Sequence, residues 1–190
     1  MGYLLNFMNV LVQIIFGILI FLVLARFILQ TVRADFYNPI SQMLIKVTDP
    51  ILRPLRRLIP GLFGLDMAAI VLLLILQCLE LLLTHTIAGA GLHPPLLFLV
   101  EAIGTLISHA AQLFMICIFI IVISSWISPA AYQHPLVQIS MQITRPILEP
   151  ARRILPSTGG FDFSPILALI FIFAVMFLVA APLMDLPHRI

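Results

Sequence analysis

The sequence predicts an all-α membrane protein made of two tandem, parallel repeats, each a transmembrane helix, a cytoplasmic amphipathic interfacial helix and a second transmembrane helix. Three observations predict this class. Hydrophobic residues make up 62% of the 190 residues and charged residues only 9%, whereas soluble domains carry about 25% charged residues. Four apolar runs are long enough to cross a bilayer, and a segment rich in proline and arginine occurs twice.

The four predicted transmembrane helices are residues 4–29, 65–88, 95–127 and 165–183. A spanning helix needs about 20 mostly apolar residues, and each run meets that requirement or comes close to it. The third run is the longest, so we expect it to tilt or to start within the headgroup region. Gly89 to Pro94 form a short hairpin between the second and third runs.

Two segments between these runs, 39–59 and 135–155, are too polar to span. Apolar residues recur in them at spacings of three and four, which indicates one face of a helix. The positions are Ile40, Met43, Val47, Ile51, Leu55 and Leu58, and then Leu136, Ile139, Ile143, Ile147, Ala151 and Ile154. An amphipathic helix bearing arginines and lying in the membrane interface fits this pattern.

The chain contains an internal duplication with a constant offset of 96 residues. Identical residues occupy Pro39, Gln42, Thr48, Pro50, Ile51, Leu52, Pro54, Arg56, Arg57, Pro60, Gly64, Asp66 and Ile70 and their counterparts between 135 and 166. We therefore divide the chain into two repeats, 1–92 and 93–190. A repeat with two crossings returns to its starting side, so the copies are parallel rather than inverted.

Basic residues predict the orientation, because loops rich in lysine and arginine stay cytoplasmic. The two loops that contain the interfacial helices hold Arg33, Lys46, Arg53, Arg56, Arg57, Arg145, Arg152 and Arg153, whereas the hairpin holds none and the C-terminal tail holds only Arg189. Both interfacial helices are therefore predicted to face the cytoplasm, and both termini the periplasm.

The prolines of the duplicated segment predict a capped, kinked turn. Pro54 and Pro60 should bend or end a helix, and so should Pro150 in the second copy. Thr48 or Asp49 can cap a helix whose first position is Pro50, and Thr144 with Pro146 repeats that arrangement. The pairs Arg56–Arg57 and Arg152–Arg153 then lie at headgroup level, where they attract an anionic leaflet.

Asp66 and Asp162 begin the second transmembrane helix of each copy. A carboxylate there faces the positive end of the helix dipole and lies within reach of the arginine pair. We expect an Arg–Asp clamp at this corner; solvated loop charges are the alternative.

Charges at two positions are exchanged between the copies. Asp49 and Arg53 correspond to Arg145 and Glu149. Each pair has the spacing of an ion pair within one helix. The exchange would equally let Asp49 meet Arg145 and Arg53 meet Glu149 if the copies pack side by side. Both arrangements remain open.

Four ionisable residues lie within the predicted spans: Glu80, His85, Glu101 and His109. Such groups are costly in hydrocarbon, so each is a functional hypothesis. We favour interhelical hydrogen bonding, since Glu80 and Glu101 correspond to Met176 and Leu5 and do not recur in the other copy. An ion or proton path is the alternative. Cys78 and Cys117 lie in apolar runs and indicate packing, and no metal or cofactor motif is present.

The segments TDPILRPLRRLIP…GLD and TRPILEPARRILP…GGFD resemble the hallmark of the YggT (YlmG-like) family of small membrane proteins. The resemblance covers both halves of the chain. It departs at Arg145 and Glu149, where the family pattern has an aspartate and a basic residue, so only Asp49 retains any role that this aspartate has. The resemblance implies no established enzyme activity; members of the family are linked to cell division or morphology, membrane-complex maturation and osmotic or envelope stress.

We therefore predict a non-enzymatic scaffold or assembly protein of the bacterial inner membrane. The alternative is an ion channel or transport-accessory protein acting through Glu80, His85 and Glu101. Expected partners are anionic lipid headgroups and other membrane proteins, with a homo-oligomer also compatible; we expect no nucleic acid and no cofactor.

Overall fold

A computed structural model describes residues 2–62, 64–89, 91, 94–155 and 162–189. Every regular element within these residues is helical, as the composition predicts. The predicted hairpin at Gly89–Pro94, the repeat boundary at 92–93 and the end of the second duplicated segment at Pro156 lie wholly or partly outside the described residues.

Four helical segments are long and apolar enough to cross a membrane, which confirms the predicted number of spans. They are α1 (Gly2–Thr31), α3 (Met67–Ala88), α4 (Pro95–Ile127) and a fourth that covers Ser164–Pro187. The fourth consists of α6 (Ser164–Val175), one π-helical stretch (Met176–Ala180) and α7 (Ala181–Arg189). It extends beyond the predicted end at residue 183.

Two amphipathic helices lie between these spans, α2 (Pro39–Leu58) and α5 (Pro135–Ile154), and a 3₁₀ turn precedes α5. Each begins with proline at its first position. The preceding residues cap them, since Asn38 accepts a hydrogen bond from the amide of Ile40 and His134 from that of Leu136. The caps therefore lie ten residues before the predicted positions Thr48 and Thr144.

The predicted cap at Thr48 or Asp49, and at Thr144, is wrong, because Pro50 and Pro54 lie inside α2 and Pro146 and Pro150 lie inside α5. The Thr48 side chain donates instead to the carbonyl of Leu44, 2.6 Å away, and Thr144 donates to that of Ser140. Both threonines are thus mid-helix residues bonded to the preceding turn. Each helix ends just after its arginine pair, at Leu58 and Ile154.

Each half packs as a unit, with α1 against α3 and α4 against α6 and α7. One buried cluster joins the halves and includes Leu24 and Ile28 of α1, Cys117 of α4, and Ile139 and Ile143 of α5. Helix α5 contacts α1, α2, α4 and α6, so it lies between the two halves. Within the described residues, α2 contacts fewer elements than α5 does.

Helix α4 and the last span pack closely at Gly104 of α4. A Cβ atom there would lie 2.9 Å from Cβ of Leu183 and 3.0 Å from the carbonyl oxygen of Ala180. Glycine thus lets α4 and the last span approach closely, as small residues commonly do in membrane helix pairs.

The apolar stripes of α2 and α5 have different surroundings. In α2, Met43, Val47 and Ile51 are exposed, and the buried face is instead Ser41, Leu44, Thr48 and Leu52. In α5, Ile139 and Ile143 of the corresponding stripe are buried. The periodicity predicts both helices, but residues in the middle of this stripe are exposed in the first copy and buried in the second, where the two ends of the stripe, Leu136 and Ile154, remain exposed.

Candidate functional site

A buried arginine fixes α2 to the first transmembrane helix. Arg26 of α1 is 7% exposed. Its Nη1 donates to Thr48 Oγ1 at 2.7 Å and to the carbonyl of Ile45 at 3.3 Å. Its Nη2 lies 2.5 Å from Oδ1 of Asp49. The guanidinium thus meets three acceptors on one side of α2, an arrangement suited to the fixed fork of arginine.

Asp49 connects two arginines, because its other carboxylate oxygen lies 2.8 Å from Nη2 of Arg53. Burial alone would raise the pKa of Asp49, but hydrogen bonding and attraction from Arg26, followed by those from Arg53, hold that pKa below its ordinary value. The carboxylate is therefore charged at neutral pH and balances the buried arginine.

The predicted Arg–Asp contact is present in both copies. Arg56 Nε donates to Asp66 Oδ2 at 3.0 Å, and Arg152 Nε donates to Asp162 Oδ2 at 3.1 Å. In the first copy the carboxylate also caps α3, because Asp66 Oδ1 accepts from the amide of Ala69. Each pair joins the end of an amphipathic helix to the start of the next span.

The two clamps differ in exposure. The Asp66 side chain is buried, whereas Asp162 and Arg152 are both partly exposed. Burial would raise the pKa of Asp162, but hydrogen bonds from Ser164 and attraction to Arg152 bring it below the usual value. The Ser164 amide donates to Asp162 Oδ1 at 2.9 Å, so this aspartate lies just before α6 rather than at its cap position.

The pairing across the copies that the exchanged charges suggested is wrong. Arg145 bonds to Glu149 at 2.6 Å within α5, as Asp49 bonds to Arg53 within α2. Ion pairs one turn apart satisfy the charges locally. Arg145 and Glu149 are largely exposed, and Arg57 and Arg153 form no ion pair with any described residue.

Other polar groups do connect the copies. Asn38, the N-cap of α2, donates through Nδ2 to the carbonyl of Pro135 at 2.9 Å, and the amide of Asp35 donates to Gln142 Oε1 at 2.7 Å. The start of α2 thus lies against the start of α5. Both amphipathic helices are consequently at the same end of the bundle.

Two of the ionisable residues within the spans form an interhelical pair. His85 Nε2 of α3 lies 3.3 Å from Glu101 Oε1 of α4, and both side chains are nearly buried. Glu80 bonds instead to Gln77 on its own helix, at 2.8 Å. His109 Nε2 is buried and has no hydrogen-bond partner among the described residues. The structure thus brings together His85 and Glu101 of the four candidates.

Comparison with known proteins places these features in a family. The CCB3/YggT family model matches residues 5–87 and again residues 100–183. The chain belongs to the CCB3/YggT family. The two matches correspond to the two predicted YggT repeats.

Several bacterial proteins are similar to this CCB3/YggT member. An uncharacterized protein of Pseudomonas aeruginosa is 40% identical over 159 residues, covering 83% of this chain and 80% of the relative. An uncharacterized protein of Vibrio alginolyticus is 36% identical, covering 87% and 89%. Uncharacterized protein YggT of Escherichia coli K12 is 32% identical, covering 90% and 87%. No solved structure gives a significant match.

Sequence reasoning missed two residues that join the helices of this protein. It made no prediction for Arg26, although a lone arginine within an apolar helix signals a buried partner. Asn38 directly before proline at a helix start is a recognisable cap, but its second bond, to Pro135, has no signal in the sequence. The described residues contain no cluster of three or more His, Cys, Asp or Glu that could hold a metal ion.

Proposed function

We propose that this protein is a non-enzymatic scaffold or assembly protein of the bacterial inner membrane. Its cellular role is proposed to lie in envelope or osmotic stress tolerance, cell division and morphology, or the maturation of a membrane complex. The single observation that carries the proposal is the use of the charges: Arg26 and the duplicated pair Arg56 and Arg152 each form an ion pair that fixes an amphipathic helix to a span. Such charges build a platform rather than a reactive centre.

The proposed orientation follows from the basic residues. Eight lysines and arginines lie between α1 and α3 or between α4 and α6, at the end of the bundle that holds both amphipathic helices. Because positive loops are retained on the cytoplasmic side, we place the platform at the inner leaflet and both termini in the periplasm.

Helix α2 offers the surface for a partner membrane protein in this proposal. Met43, Val47 and Ile51 are exposed on it, and Lys46 and Arg57 are exposed beside them. An apolar stripe flanked by basic residues suits a second membrane protein at the inner leaflet, since it offers both burial and charge.

The test is photo-crosslinking in cells, with a benzophenone residue placed at Lys46 or Arg57. The matched control carries it at Ile170, an exposed position of α6. A scaffold should give the same discrete adduct with one other membrane protein from both α2 positions and not from Ile170, and that protein's complex should assemble less in a deletion strain. Self-adducts alone, equal at all three positions, would refute the proposal.

A second candidate function is ion conduction or accessory transport, favoured by the contact between His85 and Glu101. A paired histidine and carboxylate between two spans is an arrangement that can relay protons. Proton and potassium flux into liposomes should be compared for the wild type, Glu80→Gln and Glu101→Gln, with Glu149→Gln as the control. A robust flux lost only in the first two variants would support conduction and overturn the scaffold.

A further inference from the structure

A cavity of about 380 Å³ lies between the end of α1, the α1–α2 loop and α2. Its volume falls in the range of small-ligand sites, roughly 300–1,000 Å³. The polar groups that line it are Arg26, Gln30, Arg33, Ser41 and Arg56, and apolar side chains such as Leu29, Phe36 and Leu44 complete the wall. Three guanidiniums in one cavity are unusual in a chain with only ten basic residues.

The charges around the cavity leave an excess positive charge. Asp49 balances Arg26, and Asp66 balances Arg56. Arg33 pairs with no carboxylate in the part of the chain that the structure describes. The cavity is therefore net cationic, and an anionic ligand would complete it.

Ser41 supplies a second, independent observation. Its side chain is 4% exposed, and its Oγ is buried with no hydrogen-bond partner among the described residues. A buried hydroxyl without a partner carries an energetic penalty, so it needs an explanation. A ligand oxygen in the cavity that Ser41 lines would accept a hydrogen bond from this hydroxyl.

Arg33 also occupies a backbone position that favours glycine. Its φ is 53°, the only positive φ among the described non-glycine residues. The amide of Ala34 donates to the carbonyl of Leu29, which makes Arg33 the left-handed residue of a helix-terminating Schellman motif. Arginine is strained in this backbone conformation, and its side chain adds a positive charge to the cavity wall.

The second copy folds without these groups. The positions that correspond to Arg26, Gln30, Arg33 and Ser41 are Val122, Trp126, Pro129 and Val137, whereas the clamp residues Arg56 and Asp66 recur as Arg152 and Asp162. The polar lining is thus a feature of the first copy and not a requirement of the repeat.

We propose that this cavity binds the phosphate group of an anionic phospholipid from the adjacent leaflet. Phosphate oxygens would accept hydrogen bonds from Arg33 and Ser41, as arginine clusters commonly donate to phosphate. The apolar wall would contact the glycerol and the start of the acyl chains. This site is independent of the proposed scaffold function.

The test uses the full chain purified in a neutral detergent, with phosphatidylglycerol, phosphatidylcholine or inorganic phosphate added. Native mass spectrometry measures bound lipid, and thermal unfolding measures stabilisation. The wild type should bind one phosphatidylglycerol saturably and gain thermal stability, whereas phosphatidylcholine and millimolar inorganic phosphate should give no comparable shift. Equal stabilisation by inorganic phosphate or by phosphatidylcholine would overturn the assignment to an anionic lipid.

Two variants separate binding from folding. Arg33→Gly places the preferred residue at the left-handed position, so it should keep or raise the basal melting temperature while weakening phosphatidylglycerol binding at least about tenfold, the equivalent of one charge-assisted hydrogen bond. Ser41→Ala removes a buried unpaired hydroxyl and should act in the same direction. Arg57→Gln, an exposed arginine of α2 outside the cavity, is the matched control. Equal loss in Arg57→Gln and Arg33→Gly would show diffuse attraction and refute the site.

Discussion

Replacing Asp49 with asparagine should destabilise the protein more than any other single change to a charged residue of the duplicated segment. The substitution leaves the Arg26 guanidinium buried, at 7% exposure, with Thr48 Oγ1 and the Ile45 carbonyl as its remaining acceptors. Stranding one member of a buried ion pair costs about 3–5 kcal/mol. Because these two acceptors remain and the Asp49 side chain is itself 14% exposed, we expect a loss near the lower limit, about 3 kcal/mol.

The reverse change should be milder. Arg26→Met removes the buried charge, and Asp49 keeps its 2.8 Å contact with Arg53. The loss then corresponds to hydrogen bonds to a charged group, about 1.5–3 kcal/mol. The double variant Arg26→Met/Asp49→Asn should be more stable than the sum of the single losses implies, because it strands neither charge.

The measurement is unfolding by SDS titration in mixed micelles, monitored by maleimide labelling of Cys117, which is buried in the folded protein. The matched control is the exposed pair of α5, Arg145 and Glu149, at 71% and 47% exposure. Exposed pairs contribute about 0–1 kcal/mol, so Glu149→Gln should be nearly neutral. If Asp49→Asn is as mild as Glu149→Gln, or milder than Arg26→Met, the reasoning is refuted.

Three further predictions concern acid stability, the clamps and helix packing. Folding lowers the pKa of Asp49. The contribution of this carboxylate to stability is therefore complete above its unfolded pKa of about 3.9 and is lost as the pH falls through the lower folded pKa. Acid titration of the free energy of unfolding should show this loss in the wild type and not in Asp49→Asn. Asp66→Ala removes a buried ion-pair partner and a helix cap, so it should cost about 2–3 kcal/mol of stability. Asp162→Ala, at the more exposed clamp, should cost about 0–1 kcal/mol in the same SDS titration. Equal losses would contradict a role for the difference in burial. Gly104→Ala should destabilise the protein by about 1–3 kcal/mol, because the last span approaches α4 closely there. Gly17 has open space around it, so Gly17→Ala should be neutral or stabilise by up to about 1 kcal/mol. Thermal unfolding that ranks the two variants in the opposite order would exclude the close packing of α4 against the last span.

The sequence predicts the helices well because their signals are local. The length of the apolar runs identifies the four spans, and the periodicity identifies α2 and α5 to within a residue of their ends. The proline rule misled at Pro50, which was predicted to open a helix. A proline in a helix loses one hydrogen bond, but α2 continues through Pro50 and Pro54 to Leu58, and the tertiary contacts from Arg26 that support it there are contained in no local rule.

The candidate site could be predicted only in part. The Arg56–Asp66 clamp follows from the helix start at Asp66 and a short loop, both visible in the sequence. The partner of Asp49 could not be found in the same way, because Arg26 lies 23 positions away on another helix and the packing of α1 against α2 determines the contact. The cross-copy pairing failed for the opposite reason, since partners one turn away satisfied the charges first.

The different environments of α2 and α5 mean that the two halves are not interchangeable. Two identical subunits around a twofold axis would have to place the same side chain at both equivalent positions, whereas a fused chain is free of that restriction. Here Arg26 meets Asp49, while the equivalent positions hold Val122 and Arg145. A chimera built from two first halves would carry a second copy of the cavity lined by arginines and would lack α5, which lies between the two halves here. A chimera built from two second halves would lack that cavity.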